Sequence, residues 1–320
     1  MVIVADRFET IRKTVRHLSA QNVSNVLELV IVTQSTADLA LDEKEIGVFS
    51  ALQVVEVETI FSLARALAAG IRRSSAPIIA IAESHSYPGP GWAEALIKRH
   101  KQSFAAVAPV ITNANPQSIV SWANLFLDFG QCVEPRQTGV VDFLPGHNTS
   151  YKREILLQYD SQLDDKMVSE ILLHWDMRAK GYQLFMDGAV KTYHLNITRL
   201  LAWLPERFFT GRRFAATRSA DWSGLARLTY AVGSPLIPFV RLPRVLADIR
   251  QSTRAQELLP RILLPLVAGL IASALGEMIG YAVGAGAASE QLAKMEIDKV
   301  RYVSDRDRRS LEIWPPIDQA

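Results

Sequence analysis

The stretch that decides the fold reads Ala76-Pro77-Ile78-Ile79-Ala80-Ile81-Ala82-Glu83-Ser84-His85-Ser86-Tyr87-Pro88-Gly89-Pro90-Gly91-Trp92-Ala93-Glu94-Ala95-Leu96-Ile97. Pro77 to Ala82 is apolar and has the length of a strand buried on both faces. It stops at Glu83-Ser84-His85, which places a carboxylate and an imidazole, both metal-ligand types, at the strand end. Pro88-Gly89-Pro90-Gly91 forces a turn, and Trp92 to Lys101 restarts at helical spacing. Strand, polar tip, turn and helix is the order in which open α/β sheets hold ligands, beyond the carboxyl ends of their strands.

The same pattern extends outward. Val2–Ala5, Val26–Val32 and Leu52–Val57 read as strands before this stretch, with helices over Glu9–Leu18 and Thr59–Ile71 between them. Phe104–Ile111 reads as a fifth strand. Asn115-Pro116 has the form of a helix N-cap with proline in the first turn, and that helix is expected to reach Phe129. Gly130–Thr138 is a polar loop and Val140–Leu144 a short strand. Asp164–Lys180 is expected as one helix closed by Gly181, followed by short strands at Tyr182–Met186 and Val190–Tyr193, with His194 ending the second. Alternating strands and helices predict an α/β fold with a mainly parallel sheet flanked by helices.

Composition narrows the classes. The chain has 320 residues, nearly half of them apolar, enough for a sizeable core, and a net charge of +2 gives no footing for a nucleic-acid binder. With Cys132 as the one cysteine, no intrachain disulfide can form. Met1–Ala5 is too short for a cleavable signal core, and Asp6 and Arg7 follow at once. No phosphate-binding P-loop, serine nucleophile elbow, HExxH or paired CxxC motif occurs.

The texture changes after Arg199. Residues 200–257 mix arginine with aromatic and aliphatic side chains, which suits helices at a bilayer interface. Residues 258–289 read as a hydrophobic, membrane-inserted segment that either spans once or enters and stays monotopic: Ile262–Gly276 carries no charge, Glu277 interrupts, and apolar character resumes to Ala288. Gly269, Gly276, Gly280 and Gly284 make a small-residue stripe suited to close helix packing, hence to a homo-oligomer. Residues 290–320 read as a charged tail.

Taken in order, four stretches give a resemblance. Val2-Ile3-Val4-Ala5-Asp6-Arg7, Leu29–Thr36, Ala76–Leu96 and Pro145-Gly146-His147-Asn148 to Arg153 together resemble the family 2 glycosyltransferases, which have the GT-A fold, over residues 1–199. The resemblance implies transfer of a sugar from a nucleotide-sugar donor to a lipid-linked or cell-envelope glycan acceptor, with inversion, at the cytoplasmic face of the membrane. It also implies a divalent metal, Mn²⁺ or Mg²⁺. In this sequence Glu83-Ser84-His85 replaces the family's aspartate-x-aspartate metal motif, and Gln34 or Ser35 stands where a base-binding aspartate is usual. Of the acidic pair before the acceptor helix only Glu170 remains an acid, beside Ser169.

Carried over residue by residue, the resemblance makes Glu83, His85 and His194 the candidate metal ligands. It makes Asp6, Arg7, Gln34, Ser84, His147 and Asn148 the candidate donor-binding residues. Glu170 is the candidate general base, mid-helix and partly desolvated, with Asp164 or Asp165 as fallback. Arg212 and Arg213 are candidates for a diphosphate or lipid phosphate. His17, His100 and His174 are expected to be structural. Two other readings stay open: a non-catalytic membrane-anchored binding or assembly subunit, and a soluble enzyme whose apolar C-terminal helices form a dimer core.

Overall fold

The computed structural model describes residues 1–317. The chain opens as β1 (Val2–Val4), α1 (Phe8–Ser19), β2 (Glu28–Thr33), the single-turn helices α2 (Thr36–Leu39) and α3 (Glu43–Ile46), β3 (Ala51–Glu56) and α4 (Leu63–Arg73). The three strands pair in parallel, with Val30 opposite both Val2 and Gln53. Their side chains divide by the period-two rule. Val2, Val4, Val30 and Val32 face α4 residues such as Leu67 and Ile71. Ile3, Leu29 and Ile31 face Phe8, Ile11, Val15 and Leu18 of α1.

Next come β4 (Ile78–Ala80), β5 (Ser86–Pro88), α5 (Trp92–His100), β6 (Ala106–Asn113), α6 (Ile119–Phe129), β7 (Gly139–Val141) and β8 (Ser150–Lys152). The helices α7 (Arg153–Leu157), α8 (Leu163–Lys166) and α9 (Glu170–Ala179) precede the long β9 (Leu184–His194). These strands form a second sheet in the order β4-β8-β6-β9-β5, with β7 also on β9. A parallel bridge from Ile81 to Val2 joins the two sheets, reinforced by the Ala82 N–H donating to the Val2 carbonyl at 2.8 Å. Parallel pairing holds in the first sheet and between β6 and β9, while β8, β5 and β7 pair antiparallel.

Several local expectations are corrected. Asn115 does not cap α6: its side chain is spent on the backbone of Asn196, accepting from the Asn196 N–H at 3.0 Å and donating to its carbonyl at 2.8 Å. Ser118 takes the N-cap instead, accepting from the Ser121 N–H. The helix expected over Asp164–Lys180 is two helices, broken at Met167-Val168-Ser169. The two short strands expected after Gly181 are one, β9, whose pairing with β6 slips register opposite Pro109 and Val110.

The C-terminal third is helical: α10 (Leu200–Arg218), α11 (Gly224–Gly233), α12 (Ile237–Ile249), α13 (Thr253–Val283), α14 (Ala288–Ile297) and α15 (Asp305–Ser310). The 31 residues of α13 make a rod of about 46 Å. It lies along α10 and is flanked by α6, α11 and α12. The glycine stripe is used here, inside the chain. A Cβ on Gly276 would sit 2.0 Å from the Phe208 carbonyl oxygen, and one on Gly280 would sit 2.3 Å from that of Arg212. The small-residue face expected to join two copies is therefore covered by α10. Glu277 finds a partner in Arg241 at 3.5 Å. Arg212 is also committed locally, donating to the Gly284 carbonyl at 2.9 Å, and does not approach the strand ends.

The outer faces of these helices stay apolar and open, at Leu225, Val232, Leu236, Phe239, Leu264 and Ile271. As far as residue 317, where the described residues end, the stretch after Glu290 is not a loose charged tail. It folds back onto the sheet domain, burying Met295, Val303 and Leu311, the last two against Tyr87 and Leu195.

Because the α10–α13 approach tolerates no side chain, Gly276→Ala is expected to lower the unfolding free energy by roughly 1–3 kcal/mol, despite alanine's better helix propensity. Gly224→Ala, where an added Cβ meets nothing within 4 Å, should be neutral or stabilising. Thermal unfolding of the two variants checks this.

Candidate functional site

The polar tip of β4 is built from both sides. From α1, the buried Thr14 hydroxyl lies 3.0–3.2 Å from the carbonyl oxygens of Glu83, Ser84 and Ser86, pinning the loop. Beyond the loop, β5 pairs antiparallel with β9, placing Ser86 opposite His194. That register brings the His85 and His194 rings edge to face, with centroids 4.9 Å apart. The result is a buried group, Glu83, His85 and His194, whose ligand atoms all lie within 4.8 Å of one another.

Hydrogen bonds fix which imidazole nitrogen faces the group. The Asn196 amide donates to the Asn113 side chain at 3.2 Å and to the His194 carbonyl at 3.1 Å, so its oxygen is left to accept from His194 Nδ1 at 3.0 Å. His194 Nε2 is then the lone-pair nitrogen, 3.6 Å from Glu83 Oε2. At His85, the Ser84 hydroxyl donates to the Glu296 carbonyl at 2.9 Å and so accepts from His85 Nδ1 at 3.2 Å. His85 Nε2 is buried without a hydrogen bond, 3.6 Å from Glu83 Oε1. Two lone pairs and a carboxylate converging on one point, each oriented by a second residue, fit a divalent ion. A mixed nitrogen and oxygen set suits Mn²⁺ better than Mg²⁺.

The charges agree. Burial by itself would push the Glu83 carboxyl up, but His147, His85, His194 and Lys299 outweigh it and hold it well below the usual carboxylate range. Burial and the nearby Lys299 hold His85 well below the ordinary imidazole range. Burial takes His194 down to about 4, against the pull of Glu83. Both rings are thus neutral at pH 7, as ligands must be. His147 goes the other way: burial lowers it, but Glu83, Glu170 and Glu296 prevail and raise it.

His147 links the metal corner to Glu170. Its Nδ1 is 3.4 Å from Glu83 Oε1 and its Nε2 is 3.4 Å from Glu170 Oε1. Glu170 opens α9 rather than lying mid-helix, so its carboxylate stands at the positive end of the helix dipole. Gly146 makes room for it, since a Cβ there would come 2.7 Å from the Glu170 carboxyl carbon. Asn148, held at a φ of 67°, donates from its side chain to Glu83 Oε2 at 3.1 Å.

Asp6 and Arg7 follow β1 and Gln34 follows β2, at the carboxyl ends of adjacent parallel strands. Gln34 is exposed there, and Arg7 is 3.6 Å from Asp298. Asp165 is exposed on α8, outside the cluster, and its neighbour Asp164 is paired with Arg72 at 2.8 Å. His17, His100 and His174 are structural as expected, bonded to the Pro88 carbonyl, Ser150 and Tyr151.

Sequence reading missed the residues that come from the C-terminal segment. Glu296 Oε2 lies 3.4 Å from His85 Nε2, and the buried Lys299 pairs with Glu296 at 2.9 Å. The available signal was Met295, Ile297, Val300 and Val303, an apolar spacing inside a stretch that reads as charged.

Residues 1–159 match the model of glycosyl transferase family 2. No curated protein sequence matches. Among solved structures, GalNAc-T7 with UDP, GalNAc and Mn²⁺ is 12% identical with a TM-score of 0.47, covering 61% of this chain and only 43% of its own. A mannosyltransferase from Pyrobaculum calidifontis, in complex with GDP-Man and Mn²⁺, is 18% identical with a TM-score of 0.51, covering 86% of each chain. Staphylococcus aureus TarS (residues 1–349, with UDP) is 16% identical with a TM-score of 0.45, covering 86% of this chain and 89% of that one. At these identities the mannosyltransferase supports the fold alone. With the family model matching residues 1–159, the chain belongs to glycosyltransferase family 2 and has a GT-A-like α/β fold.

Proposed function

We propose that this glycosyltransferase moves a sugar from a nucleotide-sugar donor to a lipid-linked or cell-envelope glycan acceptor at the cytoplasmic face of a membrane, inverting the anomeric centre. The observation that carries the reading is the pair of neutral imidazole nitrogens turned on an anionic, buried Glu83 at the carboxyl ends of the strands. Glu83, His85 and His194 would hold Mn²⁺ or Mg²⁺, which when bound neutralises the leaving diphosphate as a Lewis acid.

The protein's own residues supply the rest. Glu170 takes the proton of the acceptor hydroxyl as its oxygen bonds to the anomeric carbon. The bond to the diphosphate breaks, and its electron pair leaves with the diphosphate oxygen. His147 holds the Glu170 carboxylate from one side while Gly146 leaves it space. Ser84 and Asn148 set His85 and Glu83, and Asp6, Arg7 and Gln34 form the nucleotide side. Asp165 has no place in this scheme.

In this reading residues 1–199 are the transferase domain, 200–257 the interfacial helices and 258–289 the membrane-inserted segment. The helix α13 is apolar enough to cross a bilayer, yet it is packed along α10, which carries Glu206, Arg207, Arg212, Arg213 and Arg218. Such a partner favours a bundle lying in the interface, its open apolar faces in the acyl region. Arginines without lysines across residues 200–283 would meet anionic head groups.

Titration calorimetry with UDP-, GDP- and dTDP-sugars should show binding that requires Mn²⁺ and falls at least about tenfold in Glu83→Ala and His85→Ala. Glu170→Gln should keep donor binding and lose about 10²–10⁴-fold in turnover; unchanged turnover would remove Glu170 from the chemistry. Metal-dependent binding without turnover in the unaltered protein would instead favour a binding subunit.

Flotation with anionic vesicles checks the membrane claim. The protein should float with them, and Leu236→Glu with Phe239→Glu should leave it in the soluble fraction. A soluble, dimeric wild type would point to the dimer-core alternative.

A further inference from the structure

The donor corner is already occupied by the chain itself. Its cavity lies between Val4, Leu67, Glu83 and His147 on one side and Glu296 and Ile297 on the other, and has a free volume of about 20 Å³. That holds roughly one water molecule, whereas pockets for ligands of nucleotide size run to roughly 300 Å³ and more.

The groups that close it are those a donor and its cation would engage. The Glu296 carbonyl takes the Ser84 hydroxyl at 2.9 Å, the Glu296 carboxylate stands 3.4 Å from His85 Nε2, and Asp298 stands 3.6 Å from Arg7. Lys299, buried beside Glu296, brings a positive charge into a cluster otherwise dominated by Glu83 and Glu296.

Both ends of this segment suit movement of its middle. At one end Gly284 and Gly286 take φ values of 84° and 50° between α13 and α14, conformations that glycine adopts freely. At the other end Val303 and Leu311 are anchored on Tyr87 and Leu195, and Lys13 donates to the Trp314 carbonyl at 2.7 Å. Between them Glu296 and Asp298 meet the donor corner through polar, exchangeable contacts, while Leu292, Met295 and Ile297 pack on apolar surface that the movement must uncover.

We propose that Ala288–Tyr302 is a built-in competitor for the nucleotide-sugar site. Glu296 and Ile297 fill the donor pocket and Lys299 supplies the charge of a cation, so that donor and metal enter only as this strap swings out on the Gly284–Gly286 hinge. The proposal rests on the donor-site reading above.

The test uses the full chain, wild type and Glu296→Ala with Lys299→Ala, and measures UDP and GDP binding in Mn²⁺ together with hydrogen exchange of residues 288–302. The double variant should exchange faster over this segment and bind nucleotide at least tenfold more tightly. Saturating nucleotide should deprotect the same amides in the wild type. Faster exchange with unchanged or weaker nucleotide binding overturns the strap while leaving the donor site standing. So does added protection of the segment by nucleotide in the wild type. If neither protein binds nucleotide although the segment is released, the donor-site reading itself fails and the strap with it. Should the double variant not fold, Asp298→Ala, which removes the Arg7 contact, must show the same two changes in smaller degree; no change in either overturns the proposal.

Discussion

A carboxylate in the core is the constraint around which the rest of this structure is arranged. Glu83 is buried at the end of an apolar strand, where leaving its charge unpaired would cost several kcal/mol. It is met by His147, His85, His194 and Lys299, and by the Asn148 amide. These partners come from the loop just before β5, from the end of β9, from the Pro145–Asn148 turn and from the far C-terminal segment. Tying segments as far as 64 to 216 residues beyond it in sequence to one carboxylate couples the sheet domain to the helices that follow it. A site that needs so many elements in place cannot form before the fold is complete.

The pairing of β5 with β9 gives this cluster its geometry. The register that sets Ser86 opposite His194 also sets the two imidazoles face to edge, and a slip by one residue would turn His194 to the other side of the sheet. The end of β9 is held against slippage by the Asn113, Asn115 and Asn196 side chains, which bond to one another and to the backbone. Sheet register and histidine tautomer are thus fixed by the same asparagines.

How far this could be read from sequence follows from the range of each interaction. The strand before Glu83, its polar tip and the turn after it are local, and period and turn chemistry reveal them. His194 is legible as a strand end. Asn115 is misread because its competing partner lies 81 residues away, and an Asn-Pro pair carries the same local signal whether or not the asparagine caps a helix. Glu170 is misplaced to mid-helix because nothing in Met167-Val168-Ser169 forbids helix, yet the backbone is extended at Ser169 and α9 starts after it. The glycine stripe is correctly read as a close-packing face, but sequence cannot say whether the partner is a second copy or α10. Glu296 and Lys299 are hidden most completely, since the apolar spacing of Met295, Ile297, Val300 and Val303 can say that the segment packs but not that its charges meet His85 and Glu83.

The same long-range pairing bears on how the two halves of the molecule communicate. A buried lysine is tolerable only beside carboxylates, and Lys299 is surrounded by Glu296, Glu83, Glu206 and Asp128. Glu206 belongs to α10 and Asp128 to α6, and both also bind Arg207, at 2.8 and 2.5 Å. The charges of the donor corner and those at the root of the helical bundle therefore form one buried network rather than two. Moving the strap takes Glu296 and Lys299 out together, a neutral pair 2.9 Å apart, and leaves Glu206 and Asp128 with Arg207, whereas moving Arg207 would strand both carboxylates in the core. Any rearrangement that opens the donor corner is thus electrostatically cheap on the side of α14 and expensive on the side of α10, so the strap, not the bundle, is the element the network leaves free to yield.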